Sequence, residues 1–274
     1  MRFIDIQRGD SYFVQSCNLE ELVLTMFAEE FSEWYERWFD EDYLALYAHR
    51  DMKEAAGFVE NVWANLELRS GISVADVPCG AGRYSLVFAQ KGARVVGVDL
   101  SGIMLARAAE VAEYNVMPPL FVRGDLRHIP LAAEFDVVAN IFSSLGYFEK
   151  DSDNEAAFAE LARILAPRGV LIVDVINPSY LRAHFVAETR RETRDGEMME
   201  RRELDTEHKR VIKHIGIQHG TVIRKIRESV RLYERQELEK MATDAGLEPM
   251  DFWGNYDGEP FTSQSPRLIL FARK

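Results

Sequence analysis

The sequence predicts an α/β protein: a parallel, doubly wound sheet with a helical segment in front and a small antiparallel β insertion. Three observations carry this expectation. Short Val- and Ile-rich runs alternate with helical patterns between about residues 71 and 177, as parallel strands covered on both faces require. Ahead of that zone, apolar residues recur at three- and four-residue spacing. Behind it, from about Phe185 to Tyr233, polar extended runs and turn dipeptides break the rhythm.

The front segment is helical in pattern. Leu22, Met26, Phe27, Phe31, Trp34, Tyr35 and Trp38 form one stripe, and Ala55, Phe58, Val59, Val62 and Trp63 another. Packing onto the next domain explains most of these residues. Asn18 and Asp40 are candidate N-caps. In the central zone the strand candidates are Ile72–Val77, Arg94–Asp99, Leu120–Val122, Phe135–Asn140 and Val170–Val175. The helix candidates are Arg83–Gln90, Gly102–Tyr114 and Asn154–Leu165, the last stopped by Pro167-Arg168-Gly169. Asp195-Gly196 and His219-Gly220 read as hairpin turns in the insertion. A helix over Arg235–Ala245, with Gly246 as its C-cap, precedes an extended run at Pro249–Trp253 and a strand at Arg267–Ala272. The division expected is 1–69, a helical lid; 70–178 with 234–274, the sheet domain; and 179–233, the β-rich insertion.

Composition narrows the function classes. The chain has 274 residues, 47% hydrophobic and 28% charged, and a formal net charge of −12. Residues 1–60 hold 14 Asp and Glu against 5 Lys and Arg, a balance that repels nucleic acid. No apolar run approaches the roughly 20 residues that span a bilayer. Met1–Asp10 lacks the apolar core of a secretory signal. Two cysteines, Cys17 and Cys79, suit a reducing cytoplasm better than a disulfide framework, and their spacing suggests no metal site. The expectation is a cytoplasmic protein with a small-molecule substrate.

The chemistry-bearing residues sit at successive strand ends. The first strand runs into Asp76-Val77-Pro78-Cys79-Gly80-Ala81-Gly82-Arg83. A strand-to-helix turn that admits a ligand needs glycine, for positive φ and for close approach. Gly-x-Gly alone also fits a nicotinamide dinucleotide, but the third small residue of that fingerprint is replaced by Ser85. The second strand ends in Asp99-Leu100; its carboxylate can accept from both hydroxyls of a ribose. Ser101 can cap the following helix, which leaves Asp99 for a ligand. The third ends in Gly124-Asp125-Leu126, where an acid can receive an adenine amino group and Leu126 can line the ring. The fourth ends in Asn140-Ile141-Phe142-Ser143-Ser144-Leu145-Gly146-Tyr147-Phe148, a semi-polar aromatic segment suited to a ligand-facing loop.

Taken together, these motifs resemble the class I S-adenosylmethionine-dependent methyltransferases over roughly Ile72 to Lys274. The resemblance implies a Rossmann-like seven-stranded sheet whose last strand runs antiparallel, with S-adenosylmethionine as cofactor. It implies binding by Asp76, Pro78, Gly80, Gly82, Arg83, Asp99, Leu100, Asp125, Leu126, Asn140 and Phe142. Within that superfamily the chain is similar to the glycine and nucleotide-sugar amine N-methyltransferases. The sugar enzymes often have His where this chain has Tyr147, which points away from an amino sugar. Asp42–Asp51 looks like the lid of these relatives, with Tyr47 over the methionine part and Arg50 on its carboxylate. The implied reaction is direct in-line displacement onto N, O or S of a small acceptor, with no metal. Tyr147 and His184 are the candidates to orient or deprotonate the acceptor, ahead of His214 and His219. The insertion is expected to cover the substrate site or to form a homodimer contact. The alternatives are a non-catalytic binder of S-adenosylmethionine or S-adenosylhomocysteine and, more distantly, an NAD-dependent oxidoreductase.

Overall fold

The structure is a computed structural model, and it describes residues 34–47, 52–113, 115–132, 134–193 and 196–274. Asn18, Arg50 and the apolar stripe ahead of Trp34 lie outside the described residues. Two short helices, α1 (Trp34–Trp38) and α2 (Glu41–Leu46), lead into α3 (Met52–Asn65). The main sheet follows as β1 (Ser73–Asp76), α4 (Arg83–Gln90), β2 (Arg94–Asp99), α5 (Gly102–Ala112), β3 (Leu120–Arg123), β4 (Phe135–Asn140), α6 (Asp151–Arg163) and β5 (Leu165–Ile176). After α7 (Pro178–Ala183) come β6 (Glu188–Thr193), β7 (Gly196–Asp205), β8 (Arg210–His219) and β9 (Val222–Arg231). Then α8 (Arg235–Asp244), β10 (Glu248–Trp253) and β11 (Arg267–Arg273) close the chain.

The seven-stranded sheet has the order β10-β11-β5-β4-β1-β2-β3. Strands β3, β2, β1, β4 and β5 are parallel, and β11 runs antiparallel to β5. Chain order reverses between β1 and β4, and a crevice opens there beyond the carboxyl ends of the strands. Alternation along each strand sorts the core into two layers. Leu171, Val173 and Val175 of β5, with Leu268 and Leu270 of β11, pack on Phe158 and Leu161 of α6. Val170, Ile172, Ile269 and Phe271 pack on the other face with Phe58 and Val62 of α3 and Phe88 of α4.

The capping residues expected among the described residues do cap. Asp40 accepts from the backbone of Asp42 and Tyr43, and Ser101 from Met104. Gly246 follows α8 at φ 77°. The helix before β5 ends at Arg163, and β5 starts at Leu165, with Arg168 at φ 69° inside it. Two features carried no sequence expectation: helix α7, capped by Asn177 with Pro178 behind it, and the β7–β8 turn, where Lys209 takes φ 52° in place of a glycine.

Strands β6 to β9 form a separate antiparallel sheet in sequence order. Met198, Ile215, Ile217 and Ile226 of this sheet join the core that contains Trp34 and Trp38. Helix α1 is fastened to it by a Trp38 Nε1 bond to Glu228 and by Arg224, which reaches Asp40 at 2.7 Å and the Arg37 carbonyl at 2.8 Å. On the other side Arg210, 6% exposed, donates to the Gly146 carbonyl at 3.0 Å and the Phe148 carbonyl at 3.1 Å. The insertion thus holds both α1, with the Asp40 cap of α2, and the loop after β4. Among the described residues no helix is long and apolar enough to cross a membrane.

Candidate active site

The turn after β1 is built by two glycines in left-handed conformation, Gly80 at φ 53° and Gly82 at φ 79°. At Gly82 a Cβ would stand 2.9 Å from the Ala108 methyl, so α5 excludes any side chain. At Gly80 a Cβ would meet nothing within 4 Å, because this position faces the cleft. Asp99 anchors the turn: Gly80 N donates to Oδ2 at 2.7 Å and Ser101 N to Oδ1 at 2.8 Å. Burial raises the Asp99 carboxyl, and the surrounding backbone N–H groups only partly offset it.

Asp76 lies behind this turn, fully buried, with Ser85 Oγ donating to it at 2.6 Å. Burial pushes its pKa up to about 7; the hydrogen bond from Ser85 opposes the rise and the charge of Asp99 adds to it. Its ordinary value is 3.8. The folded state therefore favours the protonated acid. That contribution to stability is complete below about pH 4 and is lost as pH rises to about 7. Asp76→Asn is expected to flatten the fall in melting temperature between pH 4.5 and pH 8, measured by circular dichroism. An unchanged slope would show that Asp76 is not the titrating group.

Just past β3, Asp125 accepts from Arg127 through Nη2 at 2.6 Å, Nε at 3.1 Å and the backbone N at 2.8 Å. Burial would raise this carboxyl, but the Arg127 contacts outweigh it and hold the pKa below the ordinary range. Arg127 was not a sequence candidate; its signal was an Arg two residues past the acid, where an Asx turn brings both groups together.

The cleft encloses about 660 Å³. One wall is the Pro78–Ala81 turn with Arg83, Asp99, Leu100, Asp125 and Leu126. A second part of the lining is aromatic. Tyr147 stacks on Phe39, with centroids 5.8 Å apart, and lies 6.5 Å from Tyr35; Tyr43 and Tyr47 are 4.6 Å apart. All five rings line the cleft, as does Phe142. In the sequence Tyr35 falls in an apolar helical stripe and Phe39 carries no signal of its own. Only the pairing of α1 with the distant insertion sheet turns them toward the cleft.

Of the residues expected from sequence, the structure brings Tyr47, Pro78, Gly80, Arg83, Asp99, Leu100, Asp125, Leu126, Phe142 and Tyr147 to this cleft. Four are elsewhere. Asp76 and Gly82 shape the first turn from behind. Asn140 is wholly buried, donates to the Val77 carbonyl at 2.8 Å, ties β4 to the turn and does not line the cleft. His184 is the C-cap of α7; its ring stacks on Tyr180 and its Nδ1 lies 3.0 Å from the Tyr180 carbonyl, exposed and off the cleft wall. His214 of β8 pairs with Glu203 on the insertion. His219 is the last residue of β8. Among the described residues no cluster of His, Cys, Asp or Glu could hold a metal ion.

Comparison with known proteins agrees with this geometry. Residues 74–169 match a methyltransferase domain family. The cypemycin N-terminal methyltransferase of a Streptomyces species is 28% identical over 226 residues, 81% of this chain and 91% of that protein. The dTDP-3-amino-3,6-dideoxy-α-D-glucopyranose N,N-dimethyltransferase of Streptomyces fradiae is 26% identical over 215 residues, 73% of this chain and 77% of that protein. Other curated relatives are matched over about half their length, among them YqeM of Bacillus subtilis, at 46%. Among solved structures, the CcbJ methyltransferase of Streptomyces caelestis superposes with a TM-score of 0.72 at 22% identity, over 87% of this chain and 98% of that one.

Proposed function

Because the chain carries a class I S-adenosylmethionine-dependent methyltransferase domain, we propose that it methylates a nitrogen of a small-molecule amine held against the aromatic wall of the cleft. The observation that carries this reading is one cleft lined by two unlike sets of residues. One has a glycine turn open to the cleft beside a buried carboxylate; the other is made of tyrosine and phenylalanine rings.

The residues present fit the cofactor. Gly80 leaves room where a side chain would intrude, and Asp99 has lone pairs beyond its two backbone contacts for ribose hydroxyls. Asp125 and Leu126 suit the adenine, and Arg83 suits the methionine carboxylate. When bound, S-adenosylmethionine supplies an electrophilic methyl on a sulfonium whose departure leaves a neutral thioether. The chain's part is placement. It holds the acceptor nitrogen, as the neutral amine, in line with that methyl, which can account for roughly 7–11 kcal/mol of barrier lowering. The nitrogen acquires positive charge as the bond forms, and ring faces stabilise a cation without a carboxylate partner. Tyr147, on the loop clamped by Arg210, is placed to orient the acceptor. The relatives named for methylation of an N-terminus and of amino sugars support nitrogen as the acceptor atom.

The test is transfer of labelled methyl from S-adenosylmethionine to a panel of small primary and secondary amines and their alcohol and thiol counterparts. Label on amines alone is expected. Label on alcohols or thiols alone would overturn the nitrogen assignment, and binding without transfer to any member would favour a non-catalytic binder.

A further inference from the structure

The chain enters the loop after β4 through two consecutive residues in left-handed conformation, Phe142 at φ 71° and Ser143 at φ 60°. Neither is glycine, so the turn is strained and persists only because its surroundings hold it. What holds it is a buried polar cluster. Asp174, fully buried near the end of β5, accepts from Phe142 N at 2.8 Å, Tyr256 Oη at 2.7 Å and Arg267 Nε at 2.7 Å. Its carbonyl accepts from Ser143 N at 2.9 Å. Arg267 Nη2 donates in turn to Ser143 Oγ at 2.7 Å.

The backbone ladder already joins β5 to β11, and bracing it with the Arg267–Asp174 ion pair does not need a strained turn. The strain has a product elsewhere: the Phe142 ring lines the cleft, with the Arg83 guanidinium 5.6 Å from its centroid. We propose that Asp174, backed by Arg267 and Tyr256, is a positioning residue for cofactor binding. It pins the Phe142–Ser143 turn so that the Phe142 ring stands in the cleft before the ligand arrives. A ring already fixed loses less freedom on binding than one on a relaxed loop. The proposal rests on the reading that this cleft takes S-adenosylmethionine.

The test is a mutant cycle read by calorimetric titration with S-adenosylhomocysteine. Asp174→Asn and Phe142→Ala are each expected to weaken binding at least about tenfold. The double variant should bind within about twofold of Phe142→Ala alone, because Asp174 acts through that ring. Tyr256→Phe, which deletes one bond to Asp174 and keeps the packing, should weaken binding less and be silent in the Phe142→Ala background. This milder pair decides the matter if Asp174→Asn fails to fold. Losses that add in full would overturn the positioning role, as would unchanged affinity in folded variants that only melt earlier. Failure of the wild type to bind S-adenosylhomocysteine would instead overturn the cofactor reading, and the positioning role with it.

Discussion

Asp99→Ala is expected to weaken S-adenosylmethionine binding at least about a hundredfold. Hydrogen bonds to a charged group contribute about 1.5–3 kcal/mol each, and two ribose hydroxyls would be lost together. The loss is compounded within the protein, because Gly80 N and Ser101 N both donate to this carboxylate. Without it the glycine turn is no longer tied to the end of β2. Asp99→Asn keeps one accepting oxygen and should fall between alanine and wild type. Calorimetry, with circular dichroism to establish folding, separates the cases. Wild-type affinity in a folded Asp99→Ala protein would remove this residue from the site.

Arg267→Ala is expected to cost about 3–5 kcal/mol of stability, the usual consequence of leaving a buried charge without its partner. Asp174 is fully buried, and Arg267 is its one cationic partner within salt-bridge distance among the described residues. In a chain of this size that loss lowers the melting temperature by about 10 °C. The double replacement Arg267→Met with Asp174→Leu should recover only part of it: no uncompensated charge remains, but Phe142 N and Tyr256 Oη lose their acceptor. An unchanged melting temperature in Arg267→Ala would mean that the cluster does not hold β5, β11 and the β4 loop together.

The residues legible in the sequence are those whose signal is local. Asp99 and Asp125 stand at or just past the ends of apolar strands, and a short apolar run leading to an acid can be read without knowing what lies opposite. Gly80 and Gly82 announce themselves because the turn demands positive φ and bars a side chain at one of the two. The illegible part consists of polar pairings between distant segments. Trp38 meets Glu228, Arg210 meets the carbonyls of Gly146 and Phe148, and Asp174 meets Arg267. Each of these residues sits in an ordinary local context; nothing near Arg210 distinguishes it from the many exposed arginines of the insertion. Those pairings nevertheless decide which aromatics face the cleft. Tyr35 and Phe39 belong to it because α1 is fastened to β9, and His184 does not because α7 ends one residue earlier with Tyr180 beneath the imidazole. Asn140 is illegible for a related reason: a polar residue at a strand end can serve the backbone beside it as readily as a ligand.

The most direct test of the central claim is calorimetric titration of the wild-type chain with S-adenosylmethionine and, separately, with NAD. Micromolar binding of S-adenosylmethionine, with no binding of NAD, is the expected result. Binding of NAD alone, or a folded chain that takes up S-adenosylmethionine neither by itself nor with amine acceptors present, would contradict the account.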